Sequence, residues 1–159
     1  MIVDNNAPFR HALHEFLSQE PDLQIAGEAG DTGEAIRLVG TLSPDLVLTD
    51  LSMPDTHGVE AVSRLKRHYP AIKILVVSFH AENEFKRGCR KAGAAGYVVK
   101  DAIYKELRDG IRAVLAGRTY MGAHASQELL VDSAPPPAAI GEPRSDFRRW
   151  PRPICPCSN

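Results

Sequence analysis

The chain has 159 residues, 43% apolar and 25% charged, with a formal net charge of −1, which fits one globular domain plus an appendage and excludes collagen-like, wholly disordered and strongly polyanion-binding chains. Three cysteines, Cys89, Cys155 and Cys157, are too few and too unevenly placed for a disulfide framework. No apolar run approaches the roughly 18–20 residues of a membrane span, and no signal peptide precedes Asp4, so a soluble cytoplasmic protein is expected.

Ile2-Val3 predicts a strand near 1–4, short enough that the natural start is expected several residues upstream. Phe9, Ala12, Leu13, Phe16 and Leu17 follow at helical spacing, with His11, His14 and Glu15 pointing away, which predicts a helix over 8–19. Leu23 to Ala26 predicts a strand over 22–28. Asp31 with Glu34 three residues on has capping-box spacing and opens a helix over 31–42. Leu46-Val47-Leu48 marks a strand over 45–50, and Asp55-Thr56-His57-Gly58 supplies turn or cap residues for a helix over 57–69. Ile72 to Val77 predicts a strand over 72–78, followed through Ala81-Glu82 by a helix over 82–92. Tyr97-Val98-Val99 lies in a strand over 95–99, and Asp101-Ala102 leads into a helix over 102–116 whose stripe is Leu107, Ile111, Val114 and Leu115.

The strands are β-branched and nearly continuous in apolar character, as strands buried on both faces of a parallel sheet are. Strict β-α alternation predicts an α/β, doubly wound five-stranded sheet of flavodoxin-like order 2-1-3-4-5 with five flanking helices. Composition then changes. Prolines 8, 21, 44, 54 and 70 are spread through the first 133 residues, whereas 135, 136, 137, 143, 151, 153 and 156 crowd the remainder with arginines 144, 148, 149 and 152. Residues 1–120 are therefore expected to form the domain, 121–133 a short linker helix, and 134–159 a disordered tail.

In this layout Asp4 ends the first strand and Asp50 the third, neighbours at the switch point where such sheets bind ligands. Two carboxylates about 4 Å apart repel by roughly 4 kcal/mol at an effective dielectric near 20, which favours a cation between them. Hard oxygen ligands with open water positions suit Mg²⁺. Ser78 closes the fourth strand and Lys100 follows the fifth, on the same edge. A hydroxyl, an ammonium and two carboxylates make a phosphoryl-binding set. Taken singly, each has a bland reading: a cap, a polar strand end, a solvated lysine.

Val3-Asp4-Asn5, Val47 through Pro54, Leu75-Val76-Val77-Ser78 and Ala92 through Asp101 resemble the receiver domain of bacterial two-component response regulators over about residues 1–120. Gly96-Tyr97 to Lys100 and Ile111 through Gly117 are similar to the NarL/FixJ (LuxR-type) subfamily. The resemblance implies a phosphoprotein that accepts a phosphoryl group on Asp50 from a sensor histidine kinase, a signalling module rather than a turnover enzyme. It implies Mg²⁺ held by Asp4, Asp50 and the backbone carbonyl of Ser52, with Lys100 and Ser78 on the phosphoryl oxygens. Ser78 and Tyr97 would act as the switch pair, Pro54 would shape the loop, and Gly58 would be a flexible position. A homodimer is implied through the first and fifth helices or the fourth-helix to fifth-strand face.

Two departures follow. Asn5 stands where the family usually has a second acid, so it is expected to be a weakened metal ligand. No DNA-binding helix-turn-helix follows the linker, so DNA binding is not expected of this chain; a frameshift or early stop is the expected cause, testable by translating the downstream DNA in the other frames. Cys155-Pro156-Cys157 has the wrong spacing for zinc, Cys89 is expected to pack, and the histidines, His57, His68, His80 and His124 among them, to lie at the surface. An Asp-nucleophile phosphatase would want an acid at Ser52, and a flavin module a phosphate-cradling loop in place of Asp4-Asn5-Asn6-Ala7. The remaining rival is a pseudo-receiver, a truncated remnant acting only by protein contact.

Overall fold

Parallel pairing builds one sheet from β1 (Ile2–Val3), β2 (Glu28–Ala29), β3 (Leu46–Thr49), β4 (Lys73–Ser78) and β5 (Gly96–Val99), in the order β2-β1-β3-β4-β5. This is the expected topology. The computed structural model describes residues 1–56 and 58–122. The expected linker helix beyond Gly122, the tail at 134–159, His57, His124, Cys155 and Cys157 lie outside the described residues.

Five helices flank the sheet: α1 (Ala7–Ser18), α2 (Thr32–Leu42), α3 (Glu60–His68), α4 (Asn83–Lys91) and α5 (Ile103–Leu115). Alternation along β4 shows how the two layers are filled. Ile74 and Val76 face a core with Ala35, Val39, Val62, Leu65 and Cys89 from α2, α3 and α4. Leu75 and Val77 face the opposite core, where Leu13, Leu17, Leu107, Ile111 and Val114 come from α1 and α5. A strand with apolar residues on both faces is stable only between two such layers.

The second strand differs from expectation. Leu23 to Ala26 are not strand; pairing is confined to Ile2↔Glu28 and Val3↔Ala29. A strand extends only as far as its partner, and β1 is two residues long. The Met1 ammonium donates to the Leu46 carbonyl at 3.0 Å, and burial pushes its pKa down to about 6.

Helix starts also differ. Asn6 caps α1 by accepting from Phe9 N–H, with Pro8 in the first turn where its missing N–H costs nothing. The α2 start is capped as expected by Asp31, which accepts from Glu34 N–H at 2.7 Å, while Glu34 reaches Gly30 N–H. Asp55, by contrast, does not cap the helix after it. Its carboxylate accepts from Thr32 N–H at 3.0 Å and Gly33 N–H at 3.1 Å, across the fold. α3 begins at Glu60 without a side-chain cap. The two acids together take the first three free N–H groups of α2, where the helix dipole also favours negative charge.

Burial alone would raise the Asp55 pKa, but the bonds from Thr32 and Gly33 outweigh it and hold the carboxyl below its ordinary 3.8. A depressed carboxyl stabilises the fold above the unfolded pKa, and this is lost as pH falls through the folded one. Asp55→Ala is expected to cost about 1–2 kcal/mol at pH 7. The gap to wild type should narrow below pH 3.8, read by urea unfolding at both ends of that range.

After α5 the chain turns at Gly117, whose φ is 79°, and comes back to the sheet. Tyr97 N–H donates to Tyr120 O at 2.7 Å and Tyr120 N–H to Ala95 O at 3.1 Å, a parallel bridge on the outer edge of β5. Met121 is buried in the same core as Tyr97. Gly96 permits this approach, because a Cβ there would run into Leu75 and Val114 and reach the Tyr120 carbonyl at 3.1 Å.

Candidate functional site

The carboxyl ends of the strands converge. Asp4 follows β1, Asp50 follows β3, Ser78 is the last residue of β4, and Lys100 starts a single 3-10 turn after β5. All four are buried: Asp4 is 2% exposed, Asp50 4%, Ser78 0% and Lys100 8%. Lys100 Nζ donates to Asp4 Oδ2 at 2.8 Å and to Asp50 Oδ2 at 2.9 Å. The cation between the two carboxylates in this structure is thus the lysine itself, a role that strand order alone did not assign to it.

The remaining oxygens are occupied by main chain. Asp4 Oδ1 accepts from Asn6 N–H at 2.8 Å, and Asp50 Oδ1 from Leu51 N–H at 2.7 Å. Each carboxylate therefore has one oxygen fixed by its own loop and one turned to the shared ammonium. Buried charges persist when paired and hydrogen-bonded in this way.

Asn5 and Ser52 are exposed, and among the described residues neither side chain enters the hydrogen-bonded cluster. Nor do three His, Cys, Asp or Glu side chains of the described residues gather as a metal-holding group. The oxygen donors at the centre are the two aspartates.

Ser78 and Tyr97 are brought together, at 0% exposure each. The Ser78 Oγ accepts from His80 N–H at 3.2 Å, and Tyr97 donates its hydroxyl proton to His80 O at 2.7 Å. Burial pushes the Tyr97 phenol up to about 12, against the opposing effect of its hydrogen bond with Ser78. Tyr97 therefore points inward and ties β5 to the loop after β4. Cys89 packs in the same layer, its thiol raised to about 12 by burial, as expected of an inert core cysteine.

Two groups were not visible in the sequence. Arg10 donates to the Asp4 carbonyl at 2.6 Å and pairs with Glu28 at 2.9 Å, while His14 Nδ1 lies 2.6 Å from Glu28 Oε1. His14 thus turns toward the sheet rather than away. Burial would raise the Glu28 pKa, but the His14 and Arg10 bonds hold it below the usual range. The second group is aromatic: Phe9 and Phe79 flank the Lys100 ammonium, with ring centroids 4.2 and 5.1 Å from Nζ. Phe9 looked like part of an apolar stripe, and Phe79 carried no signal beyond following Ser78.

Known proteins share this arrangement of strands. A profile of the response regulator receiver domain matches residues 1–112. The chain is 35% identical over 136 residues to the response regulator GacA of Pseudomonas aeruginosa, covering 86% of this chain and 64% of that protein. It is 33% identical over 129 residues to the DNA-binding transcriptional activator DevR/DosR of Mycobacterium tuberculosis, covering 81% and 59%. A LuxR-family two-component response regulator from Aurantimonas sp. SI85-9A1 superposes with a TM-score of 0.76 at 34% identity, covering 83% of this chain and 94% of that one. The chain spans between 55% and 64% of the length of the curated relatives it matches. Among the described residues no helix is long and apolar enough to cross a membrane. The chain belongs to the response regulator receiver domain family of two-component signalling, a signalling module whose relatives are LuxR/NarL-type regulators.

Proposed function

We propose that this receiver accepts a phosphoryl group on Asp50 from the phosphohistidine of a sensor histidine kinase. The observation that carries the reading is the single ammonium of Lys100 bridging Asp4 and Asp50, 2.8 and 2.9 Å away, at the switch point of the sheet. An Asp50 carboxylate oxygen forms the bond to phosphorus as the bond to the kinase imidazole breaks, and the leaving electron pair stays on that nitrogen. Lys100 would follow the charge onto the phosphoryl oxygens, and the Ser78 hydroxyl would hydrogen-bond one of them. Doing so would turn the Ser78 hydroxyl away from its hydrogen bond with Tyr97 and change the setting of that ring, which makes those two residues the switch.

Receivers typically use Mg²⁺. The donor set suits it, since this ion takes one or two carboxylates and keeps several waters. Asp4, Asp50 and the Ser52 backbone carbonyl would hold it, with Asn5 a neutral and weaker ligand. When bound it neutralises charge on the transferred group. We assign the receiver to residues 1–120 with Met121 seated in its core, in the cytoplasm, with the kinase and a second copy as partners and no DNA contact from this unit.

Intact-mass measurement after incubation with acetyl phosphate, with and without Mg²⁺, tests the reading. Wild type is expected to gain one phosphoryl group in a magnesium-dependent way, and Asp50→Asn none. A second reading, a pseudo-receiver acting by protein contact alone, draws on the exposed neutral Asn5. No gain at any magnesium concentration would favour it.

A further inference from the structure

Asp55 stands shortly after Ser52, on the turn that leads from the acceptor strand to α3, yet its carboxylate is held by a different part of the fold. Its Oδ1 accepts from Thr32 N–H at 3.0 Å and its Oδ2 from Gly33 N–H at 3.1 Å, both at the start of α2. Arg64 of α3 donates to the same Oδ2 at 3.2 Å. The next residue adds a further tie, since the hydroxyls of Thr56 and Thr32 lie 2.9 Å apart and both residues are buried. Between Ser52 and these ties, Met53 is buried in the core that α2 and α3 supply, and the ring of Pro54 fixes its φ. At the other end, Asp50 N–H donates to the Val3 carbonyl at 3.0 Å. The turn that carries the Ser52 carbonyl is thus fastened to β1 on one side and to α2 on the other.

We propose that Asp55 is a positioning residue for Mg²⁺: by clamping the turn to the start of α2, it sets the Ser52 carbonyl in place before the ion arrives. The inference rests on the magnesium reading of the centre and adds a residue that governs its affinity. Mg²⁺ demands near-ideal octahedral geometry and gives up water reluctantly, so a carbonyl on a wandering loop is a poor ligand for it. A turn that is already fixed loses little further conformational entropy when the ion binds. The Asp55 carboxylate is itself engaged by α2 and α3, so its part is placement rather than ligation. Coupling of this kind is reciprocal: an ion held through Ser52 in turn steadies the Asp55 bonds at the start of α2.

Isothermal titration calorimetry with Mg²⁺ on the full chain provides the test. Asp55→Ala is expected to bind the ion about tenfold more weakly than wild type, the usual scale for removing a group that orients a metal ligand. Asp31→Ala removes the other acidic cap of α2, the bond to Glu34 N–H at 2.7 Å, and leaves the Asp55 bonds in place. Its affinity should stay within about twofold of wild type, because the loss of a cap is a local effect on the helix. Equal weakening in both variants would make the effect one of α2 stability and overturn the clamp, as would wild-type affinity in Asp55→Ala. A second measurement needs no substitution. Amide hydrogen exchange at Thr32 and Gly33 of wild type should slow roughly threefold at saturating Mg²⁺, and unchanged exchange there overturns the clamp. Asp50→Asn separates these results from failure of the centre: if it and wild type take up Mg²⁺ equally, or neither does, the magnesium reading falls and the clamp with it.

Discussion

Replacing Lys100 with Met is expected to destabilise the protein by about 3–5 kcal/mol, the cost of leaving buried charge without its partner. Asp4 and Asp50 would stay at 2% and 4% exposure with no ammonium between them. Their repulsion alone amounts to roughly 3–4 kcal/mol for charges 4–6 Å apart at an effective dielectric near 20. Their burial limits how far solvent can hydrate them in compensation. Urea unfolding of Lys100→Met provides the check. Adding Asp4→Asn to the variant should recover much of the loss, because one formal charge then disappears. A double variant no more stable than Lys100→Met would mean that packing of the lysine stem, rather than charge, dominates.

Asn5→Asp is expected to act in opposite directions with and without Mg²⁺. Without the ion, a third carboxylate near Asp4 and Asp50 adds repulsion that a single ammonium does not balance, so stability should fall. With it, a charged oxygen replaces an amide, and affinity should rise about ten- to hundredfold, or roughly 1.4–2.7 kcal/mol. The exposed position of Asn5 limits the penalty in the first case and leaves room for the side chain to turn in the second. Thermal shift across a magnesium titration reads both signs in one experiment. Unchanged magnesium dependence would remove Asn5 from the ligand set.

These two variants bear on what the sequence could reveal. Asp4, Asp50, Ser78 and Lys100 were legible because each stands at the carboxyl end of an apolar strand, and β-α alternation puts those ends on one edge. That Lys100 serves as the counter-ion was not, because the same lysine could as well have faced a ligand. Asp55 illustrates a second limit. Its local spacing favoured a cap on the following helix, yet the main-chain N–H groups it takes are those of Thr32 and Gly33, more than twenty residues upstream, and the following helix reaches it through the Arg64 side chain. Strand β2 illustrates a third: Leu23 to Ala26 have strand composition but no neighbour long enough to pair with. Phe79 belongs to a fourth kind, since an aromatic beside a strand end is ordinarily core, and its exposed place beside the Lys100 ammonium carries no signal in the sequence.

The return of Tyr120 to the sheet has a consequence for where the domain can be cut. The outer rim of β5 would otherwise present bare amide and carbonyl groups, a template for pairing with another molecule. Tyr120 takes up the Ala95 carbonyl and the Tyr97 N–H on that rim with its own main chain, and Met121 is seated in the interior. A recombinant fragment ended at the last turn of α5, where the helical pattern stops, would lose that cover and gain a sticky edge. The practical boundary for an isolated, soluble fragment therefore lies beyond Gly122, a full strand's width past the point that helix periodicity suggests.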